Sequence, residues 1–201
     1  MAGIDEAGRG PLAGPVVAAA VILRPGCRID GIADSKALSP EARAILCVAI
    51  RREALCFGIG WADRAEIDAL NILQATFLAM RRALLAMTVT PDHVLVDGCL
   101  LPQLGGLGKT LTGRAIVGGD ATTPAISAAS ILAKTARDTY MNQMDAIYPS
   151  YSFASHKGYG TRAHQRLLAL HGPCPLHRRS FAPLRLALEG KPGDNSTPFT
   201  A

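Results

Sequence analysis

Short apolar segments alternate with amphipathic segments along this chain of 201 residues. The apolar segments predict strands over residues 2–5, 16–23, 56–61, 93–96 and 114–117. Helical spacing and capping signals predict helices over residues 39–55, over 63–87 with a break near residues 70 and 71, from 124 onward, and over 161–170 and 181–188. Strands interleaved with helices in this way indicate an α/β layer fold.

Length and composition predict one substantial domain with a buried core, since 49% of the residues are hydrophobic. We expect this domain to span residues 1–189, with C-terminal helices from about residue 140, and residues 190–201 to form a disordered polar tail. No apolar run reaches the length of a membrane span, and no signal peptide is recognisable. Five scattered cysteines without a CxxC pair favour reduced thiols in a cytoplasmic protein.

Two adjacent carboxylates close the first predicted strand. Asp5 and Glu6 lead into the turn Gly8-Arg9-Gly10, and residues 12–23 beyond it are almost all apolar. A solvated acidic pair beside an ordinary turn is one interpretation, but charges next to a buried segment cost free energy unless they are paired or bind a metal. Carboxylate oxygens are the ligands that Mg²⁺ and Mn²⁺ prefer, and glycines let a ligand approach the backbone closely. The segment therefore indicates a cation site beside a ligand-binding turn.

Two further carboxylates, Asp97 and Asp120, each follow a short apolar strand and are flanked by glycine. Either residue alone is well explained as a turn former. Because ligand sites of α/β sheets gather at strand ends, the two residues together with Asp5 and Glu6 predict one shared acidic site. Clustered carboxylates repel one another, and divalent cations make such a cluster tolerable. Two ions about 3.5–4 Å apart are typical of phosphodiester hydrolysis.

The long helix predicted from residue 124 carries a polar stripe. Its members are spaced three, four and four positions apart and are Ser127, Ser130, Lys134 and Asp138. This spacing places them on one side of the helix. Simple solvent exposure explains such a stripe, and a position facing the acidic site is the alternative.

Positive charge is concentrated towards the C-terminus. The chain has a formal net charge of +5, and residues 157–185 contain six Lys and Arg but no Asp or Glu. The basic residues of this segment are Lys157, Arg162, Arg166, Arg178, Arg179 and Arg185, and four histidines lie among or beside them. A basic surface that only aids solubility is one interpretation, and a face that binds a phosphate backbone is the other.

Several motifs then occur in a fixed order and identify a family resemblance. They are GIDEAGRGPLAG, ADSKALS, VLVDG, AIVGGDATTP, AKTARD, HKGYGTRAH and HRRSF. From Gly3 to about Leu188 the chain resembles the bacterial ribonuclease HII family, the type 2 ribonucleases H. The resemblance implies a ribonuclease H-like fold, with a mixed central β-sheet flanked by helices and a C-terminal helical portion.

The resemblance also implies an activity and its partners. The expected enzyme is an endoribonuclease that hydrolyses the phosphodiester 5′ to ribonucleotides, in RNA/DNA hybrids and at single ribonucleotides embedded in duplex DNA. It would use two Mg²⁺ or Mn²⁺ ions, leave 3′-hydroxyl and 5′-phosphate ends, and act as a monomer away from membranes. A sliding clamp is a conceivable further partner, but residues 196–201 do not form a convincing clamp-binding peptide.

Roles of single residues follow from their motif positions. The expected metal ligands are Asp5, Glu6, Asp97 and Asp120, with Asp138 as a further catalytic acid that supports the metal site. The expected substrate-binding residues are Gly8, Arg9 and Gly10 at the ribonucleotide 2′-hydroxyl, Tyr159 on the next deoxyribose, and Ser35 and Lys36 of the DSK motif. Taken alone, Tyr159 would be better explained as a core tyrosine, and the DSK motif as a turn that starts a helix.

Two positions depart from the family pattern, because Gly118 and Thr122 stand where many members carry basic residues. The loss of positive charge there concerns substrate affinity more than chemistry, since every acidic position is filled. A nuclease of the same fold restricted to long hybrids or DNA junctions is one alternative function. A non-catalytic nucleic-acid binder is another, although it would be expected to have lost acidic residues.

Overall fold

A mixed five-stranded sheet forms the centre of the computed structural model, which describes residues 1–32, 38–107 and 110–188. The strands are β1 (Ala2–Ala7), β2 (Val16–Leu23), β3 (Ala54–Ala62), β4 (His93–Asp97) and β5 (Thr112–Ile116). Their order across the sheet is β3-β2-β1-β4-β5. Strand β1 pairs antiparallel with β2 and parallel with β4, and β4 pairs parallel with β5. The predicted α/β fold with a mixed central sheet is confirmed.

Helices connect and cover the strands. They are α1 (Pro40–Glu53), α2 (Arg64–Leu70), α3 (Ile72–Leu85), α4 (Gly119–Thr122), α5 (Pro124–Ile147), α6 (Phe153–His156), α7 (Arg162–His171) and α8 (Ala182–Leu188), with a 3₁₀ turn at Pro149–Tyr151. The break between α2 and α3 falls at Asn71, whose φ is +70° and whose side chain caps α3. Helix α1 ends two residues earlier than predicted, because Ala54 already pairs with Leu23 in the sheet.

The two faces of the sheet pack against different helices. Along β2, Ala18 and Ala20 belong to the core that α3 completes, whereas Ala19 and Val21 belong to the core that α1 and α5 complete. This alternation is the two-residue period of a strand buried on both sides. Helix α5 lies directly on β1, since a Cβ atom on Gly3 would be 2.2 Å from the carbonyl carbon of Ala125. The start of α5 is thereby fixed against the strand that carries Asp5.

The C-terminal helices enclose the loop between β1 and β2. Leu12 of that loop is buried against Leu168 of α7 and Leu184 of α8. Ala13 forms an isolated β-bridge with His177, which ties the loop to the segment before α8. Within the described ranges no helix is both long enough and apolar enough to cross a membrane. The predicted tail at 190–201 and the predicted substrate contacts Ser35 and Lys36 lie outside the described residues.

Candidate active site

Three of the predicted acidic residues line one open cavity of about 390 Å³. Asp5 and Glu6 reach it from β1, and Asp97 reaches it from the end of β4. Because β1 and β4 are parallel and Ile4 pairs with Val96, the next residues along the two strands, Asp5 and Asp97, come to the same edge of the sheet. The sheet register therefore brings together carboxylates that are 92 positions apart in the sequence.

Burial and mutual repulsion dominate the electrostatics of this edge. Asp5 is only 5% exposed, and burial together with the charges of Glu6 and Asp97 raises its pKa to about 8. Hydrogen bonds from the Ser130 hydroxyl and from the Glu6 N–H, the latter at 2.7 Å, oppose that rise. Burial also raises the pKa of Glu6, against the influence of Arg9, whose Nη1 lies 3.3 Å from Glu6 Oε1. Burial therefore outweighs the charge of Arg9 at Glu6, and Asp5 is destabilised further by the negative charges beside it.

Asp120 lies beside Asp97 but does not line the cavity. It belongs to the single turn of α4, is 5% exposed, and its N–H donates to Asp97 Oδ1 at 3.3 Å. The Ser127 hydroxyl donates to the Asp120 carbonyl at 2.6 Å and so fixes α4 against α5. Among the described residues, no three His, Cys, Asp or Glu side chains are arranged as a metal-binding group. The structure thus gathers three of the four predicted ligands at the cavity and sets the fourth next to them.

Asp138 is not part of the cavity wall, although it holds two cations that are. Its Oδ1 accepts from Lys134 Nζ at 2.8 Å, and its Oδ2 accepts from Arg43 Nη1 at 3.3 Å. Lys134 and Arg43 both line the cavity, as does Ser130. Of the two interpretations of the polar stripe on α5, the structure therefore places it at the acidic site. Sequence reasoning missed Arg43, whose only signal was a basic residue in the first turn of α1.

The turn at Gly8, Arg9 and Gly10 is held from inside the protein by a buried arginine. Arg178 is fully buried and donates to the carbonyls of Gly8, Arg9 and Gly14 at 2.6, 2.9 and 2.9 Å. Burial and the nearby charge of Arg137 lower the pKa of Arg178 to about 9. The turn is consequently anchored by a side chain that sequence reasoning assigned to another role.

Arg137 supports the remainder of the same loop. It is also fully buried, and it donates to the carbonyls of Pro15, Lys157 and Ala13 at 3.0, 3.0 and 3.1 Å. With both guanidinium groups satisfied by backbone carbonyls, the loop between β1 and β2 is bound to α5 and to the segment before α8.

The proposed basic face of residues 157–185 needs correction. Arg162, Arg166 and Arg179 are exposed, but Arg178 is buried, and the interleaved His156, His164 and His177 are buried as well. The sequence offered no sign of this division, because the exposed and the buried members share the same residue types. Arg162, Arg166 and Arg179 remain available at the protein surface, but none of them lines the cavity.

Tyr159 stands at the cavity rather than in the core. Its side chain lines the cavity and the residue is 41% exposed, so its interpretation as a core tyrosine is wrong. A Cβ atom on Gly10 would lie 3.9 Å from Tyr159 Cε1, which makes the glycine turn and the aromatic ring neighbours. Lys134 Nζ and Arg137 Cζ each lie 5.8 Å from the ring centroid. The two predicted substrate-sensing elements therefore share one wall.

The two positions that depart from the family pattern lie around α4. Gly118 precedes the helix with a φ of +67°, and no atom lies within 4 Å of the place where its Cβ would be. The Thr122 hydroxyl donates to the Gly118 carbonyl at 3.2 Å. A larger residue at 118 would have room but would adopt a left-handed backbone conformation.

Comparison with known proteins gives a consistent result. A sequence model described as ribonuclease HII matches residues 2–184. The chain is 57% identical over 190 residues to ribonuclease HII from Verminephrobacter eiseniae, and the alignment covers 94% of this chain and 88% of that protein. It is 55% identical over 185 residues to ribonuclease HII from Bordetella pertussis, which covers 92% and 90%. The crystal structure of ribonuclease H2 from Pyrococcus horikoshii OT3 superposes with a TM-score of 0.78 at 27% identity, covering 94% of this chain and 96% of that one.

Proposed function

Because the chain belongs to the ribonuclease HII family and is therefore a ribonuclease H, we propose that it hydrolyses the phosphodiester on the 5′ side of ribonucleotides. The proposed substrates are RNA/DNA hybrids and duplex DNA that contains single ribonucleotides, and the proposed products carry 3′-hydroxyl and 5′-phosphate ends. The observation that carries the proposal is the convergence of Asp5, Glu6 and Asp97 on a cavity whose wall also contains the glycine turn and Tyr159.

The acidic residues fit a pair of divalent cations, Mg²⁺ or Mn²⁺. The residues that would hold them are Asp5, Glu6, Asp97 and Asp120. Their oxygens are the hard donors that these ions prefer. The pKa of Asp5 is raised by burial and by the charges of Glu6 and Asp97, and bound cations would relieve that repulsion. Two such ions, if held by these residues, would supply an activated water and stabilisation of the departing 3′ oxygen.

The surrounding residues orient these carboxylates and complement the substrate's charge. The Ser130 hydroxyl holds Asp5, and the Asp120 N–H holds Asp97. Lys134 and Arg43, both held by Asp138, add positive charge to the cavity wall, where they would contact phosphate oxygens of the cut strand. Asp138 therefore acts by positioning Lys134 and Arg43, and it does not touch the reacting atoms.

In this proposal the glycine turn and Tyr159, which form part of the cavity wall, recognise the ribonucleotide. Gly8 and Gly10 both line the cavity and Gly10 is exposed, so the turn could contact the 2′-hydroxyl that distinguishes RNA from DNA. Tyr159 offers an exposed ring beside Gly10, where it would pack on the deoxyribose that follows the ribonucleotide. Arg9 is half exposed and would contact phosphate. Ser35 and Lys36, which lie outside the described residues, are proposed as further substrate contacts.

A cleavage map tests the proposal directly. Three end-labelled duplexes of one sequence would be compared: one with a single ribonucleotide, one with a continuous RNA strand, and one of DNA alone. We expect cleavage 5′ to the single ribonucleotide and within the RNA strand in Mg²⁺ or Mn²⁺, with no cleavage of DNA and none in EDTA. Comparable cleavage of the all-DNA duplex would contradict the proposal, as would cleavage on the 3′ side.

A further inference from the structure

Three buried histidines lie beneath the segment that carries Tyr159. His156, His164 and His177 are 8%, 0% and 1% exposed, and none of them lines the cavity. The rings of His156 and His164 stack with their centroids 4.3 Å apart, and Phe153 packs edge-on against both. The proposed reaction uses none of these side chains, so the cluster needs a separate explanation.

Every ring nitrogen in the cluster has a hydrogen-bond partner. His156 Nδ1 accepts from the Gly158 N–H at 3.1 Å, and its Nε2 lies 2.7 Å from the Tyr151 carbonyl. His164 and His177 are joined through their Nε2 atoms at 3.0 Å. The six nitrogens are therefore committed to protein partners, which argues against a metal site here. None of the three can exchange a proton with a substrate in the cavity.

The partners of His164 and His177 fix both tautomers. The Cys174 N–H can only donate, so His177 Nδ1, at 3.0 Å, must accept. A neutral His177 then carries its proton on Nε2 and donates it to His164 Nε2. His164 must in turn carry its proton on Nδ1, which donates to the Tyr159 carbonyl at 2.9 Å. The result is a one-way chain of hydrogen bonds that ends on the backbone of Tyr159.

A second proton on His164 would set its Nε2–H against the Nε2–H of His177 across 3.0 Å, and a second proton on His177 would face the Cys174 N–H, also across 3.0 Å. Burial and the neighbouring imidazoles lower the pKa of both histidines to about 4, in agreement with that geometry. Both rings are therefore neutral at the pH values at which a nuclease of this kind works, and the direction of the chain is constant.

The segment that contains His177 also controls the glycine turn. The next residue, Arg178, holds the carbonyls of Gly8 and Arg9, while His177 fixes the tautomer of His164. One short stretch of chain therefore sets the positions of both proposed substrate-sensing elements, the turn directly and Tyr159 through His164.

We propose that His164 is a positioning residue for substrate discrimination, which holds the Tyr159 backbone so that the ring meets the sugar after the ribonucleotide. His177 assists by fixing the tautomer of His164. This inference rests on the proposed function, since it gives His164 a role only through the contact of Tyr159 with substrate.

Two substitutions of His164 test its bond to the Tyr159 carbonyl separately from its bond to His177. His164→Asn places an amide N–H₂ near the position of Nδ1, so it keeps the bond to the Tyr159 carbonyl and needs no partner to fix its tautomer. His164→Gln places its amide near the position of Nε2, so it keeps the contact with His177 but loses the donor to Tyr159. Both variants remove the same ring, and both would be assayed at a temperature at which circular dichroism shows them folded.

The measurement is the ratio of kcat/KM for a single-ribonucleotide duplex to kcat/KM for a continuous RNA/DNA hybrid, which does not depend on the fraction of active protein. We expect His164→Gln to lower this ratio about threefold to tenfold, the equivalent of one hydrogen bond, and His164→Asn to leave it near the wild-type value. Equal loss in both variants, or an unchanged ratio in both, would overturn the inference, as would loss in the Asn variant alone.

Tyr159→Ala identifies which proposal has failed. We expect it to lower the ratio, and we expect His164→Gln to add nothing further in the Tyr159→Ala background. If Tyr159→Ala leaves the ratio unchanged, the proposed role of Tyr159 is wrong and the role of His164 falls with it. If Tyr159→Ala lowers the ratio and His164→Gln alone does not, only the inference about His164 is wrong.

Discussion

The carbonyl oxygen of Gly8 accepts a hydrogen bond from Nη2 of Arg178 at 2.6 Å, across 170 positions of the sequence. Arg178 is fully buried, and its remaining bonds go to the carbonyls of Arg9 and Gly14. A buried charge is tolerated when its donors are satisfied, and here three carbonyl dipoles satisfy it. The shape of the turn at Gly8, Arg9 and Gly10, which we propose contacts the ribonucleotide, is therefore determined by a distant segment of the chain.

Substitution of Gly8 tests how tightly this turn is packed. Gly8 has a φ of +96°, and a Cβ atom there would lie 2.1 Å from Arg137 Nε. We expect Gly8→Ala to lower the free energy of unfolding by about 2 kcal/mol or more and to reduce cleavage, because it strains the backbone and displaces a buried arginine. Urea denaturation and the cleavage assay measure the two effects.

Gly26→Ala is the matched control. Gly26 also has a positive φ, +73°, but nothing lies within 4 Å of its Cβ position. Gly26→Ala strains the backbone in the same way but creates no steric clash. It should therefore destabilise the protein less than Gly8→Ala and leave cleavage unchanged. Equal losses in the two variants would show that packing against Arg137 is unimportant.

Asp97→Asn tests the acidic site while preserving the local fold. The amide Oδ1 of asparagine can still accept the Asp120 N–H, so we expect little change in thermal stability. Cleavage of a single-ribonucleotide duplex should fall by more than the roughly 100-fold cost that is typical of residues behind a metal ligand. Activity near the wild-type level in a folded variant would show that Asp97 is not one of the catalytic carboxylates.

The pKa of Asp5 predicts how stability depends on pH in EDTA. Its folded pKa, about 8, lies above the ordinary value of 3.8, so the folded protein binds the proton more tightly than the unfolded chain. The associated stability is present in full below pH 3.8 and is lost as the pH rises through about 8. Between pH 5 and 8 the free energy of unfolding should decrease by up to about 1.4 kcal/mol per pH unit from this residue.

Asp5→Asn should flatten that pH dependence and make the protein more stable than the wild type at pH 8 in EDTA, although inactive. Some slope should persist, because the pKa of Glu6 is also raised. The titrations of His164 and His177, near pH 4, fall outside this range. Mg²⁺ should stabilise the wild type increasingly as the pH rises and should have less effect on the variant. A wild-type stability that rises from pH 5 to 8 in EDTA would contradict the prediction.

Asp138→Asn distinguishes a positioning role from a catalytic one. The substitution removes the charge that pairs with Lys134 and Arg43, which weakens the hold on both cations, although Arg43 keeps its bond to the Leu38 carbonyl at 3.0 Å. We expect KM for the duplex to rise about threefold to tenfold and kcat to fall less. A collapse of kcat with KM unchanged would instead place Asp138 among the catalytic residues. Asp92→Asn, at an exposed carboxylate outside the cavity, controls for the loss of one negative charge.

Much of this fold was predictable because its signals are local. The cap at Ser39, the break at Asn71 and the apolar alternation of β3 each depend on neighbouring residues, and all appear in the structure. The single turn of α4 was missed because four residues carry too little periodicity to predict a helix.

The candidate site was predictable to a different extent. Strand ends and motif order located Asp5, Glu6 and Asp97, since parallel strands bring such residues to one edge of the sheet. The structural roles of Arg178 and His164 were not predictable, because exposed and buried basic residues look alike in a sequence. Only long-range contacts reveal that these side chains serve the backbone of distant segments.

The bond between Gly8 and Arg178 has a consequence for biosynthesis. A ribosome releases residue 8 long before residue 178, so the acidic pair leaves the exit tunnel well before its adjoining turn can take its final shape. A nascent fragment that ends before Arg178 would carry the carboxylates but not the anchored turn. The protein is thus expected to acquire selectivity for its substrate only after Arg178 has been synthesised and has left the tunnel.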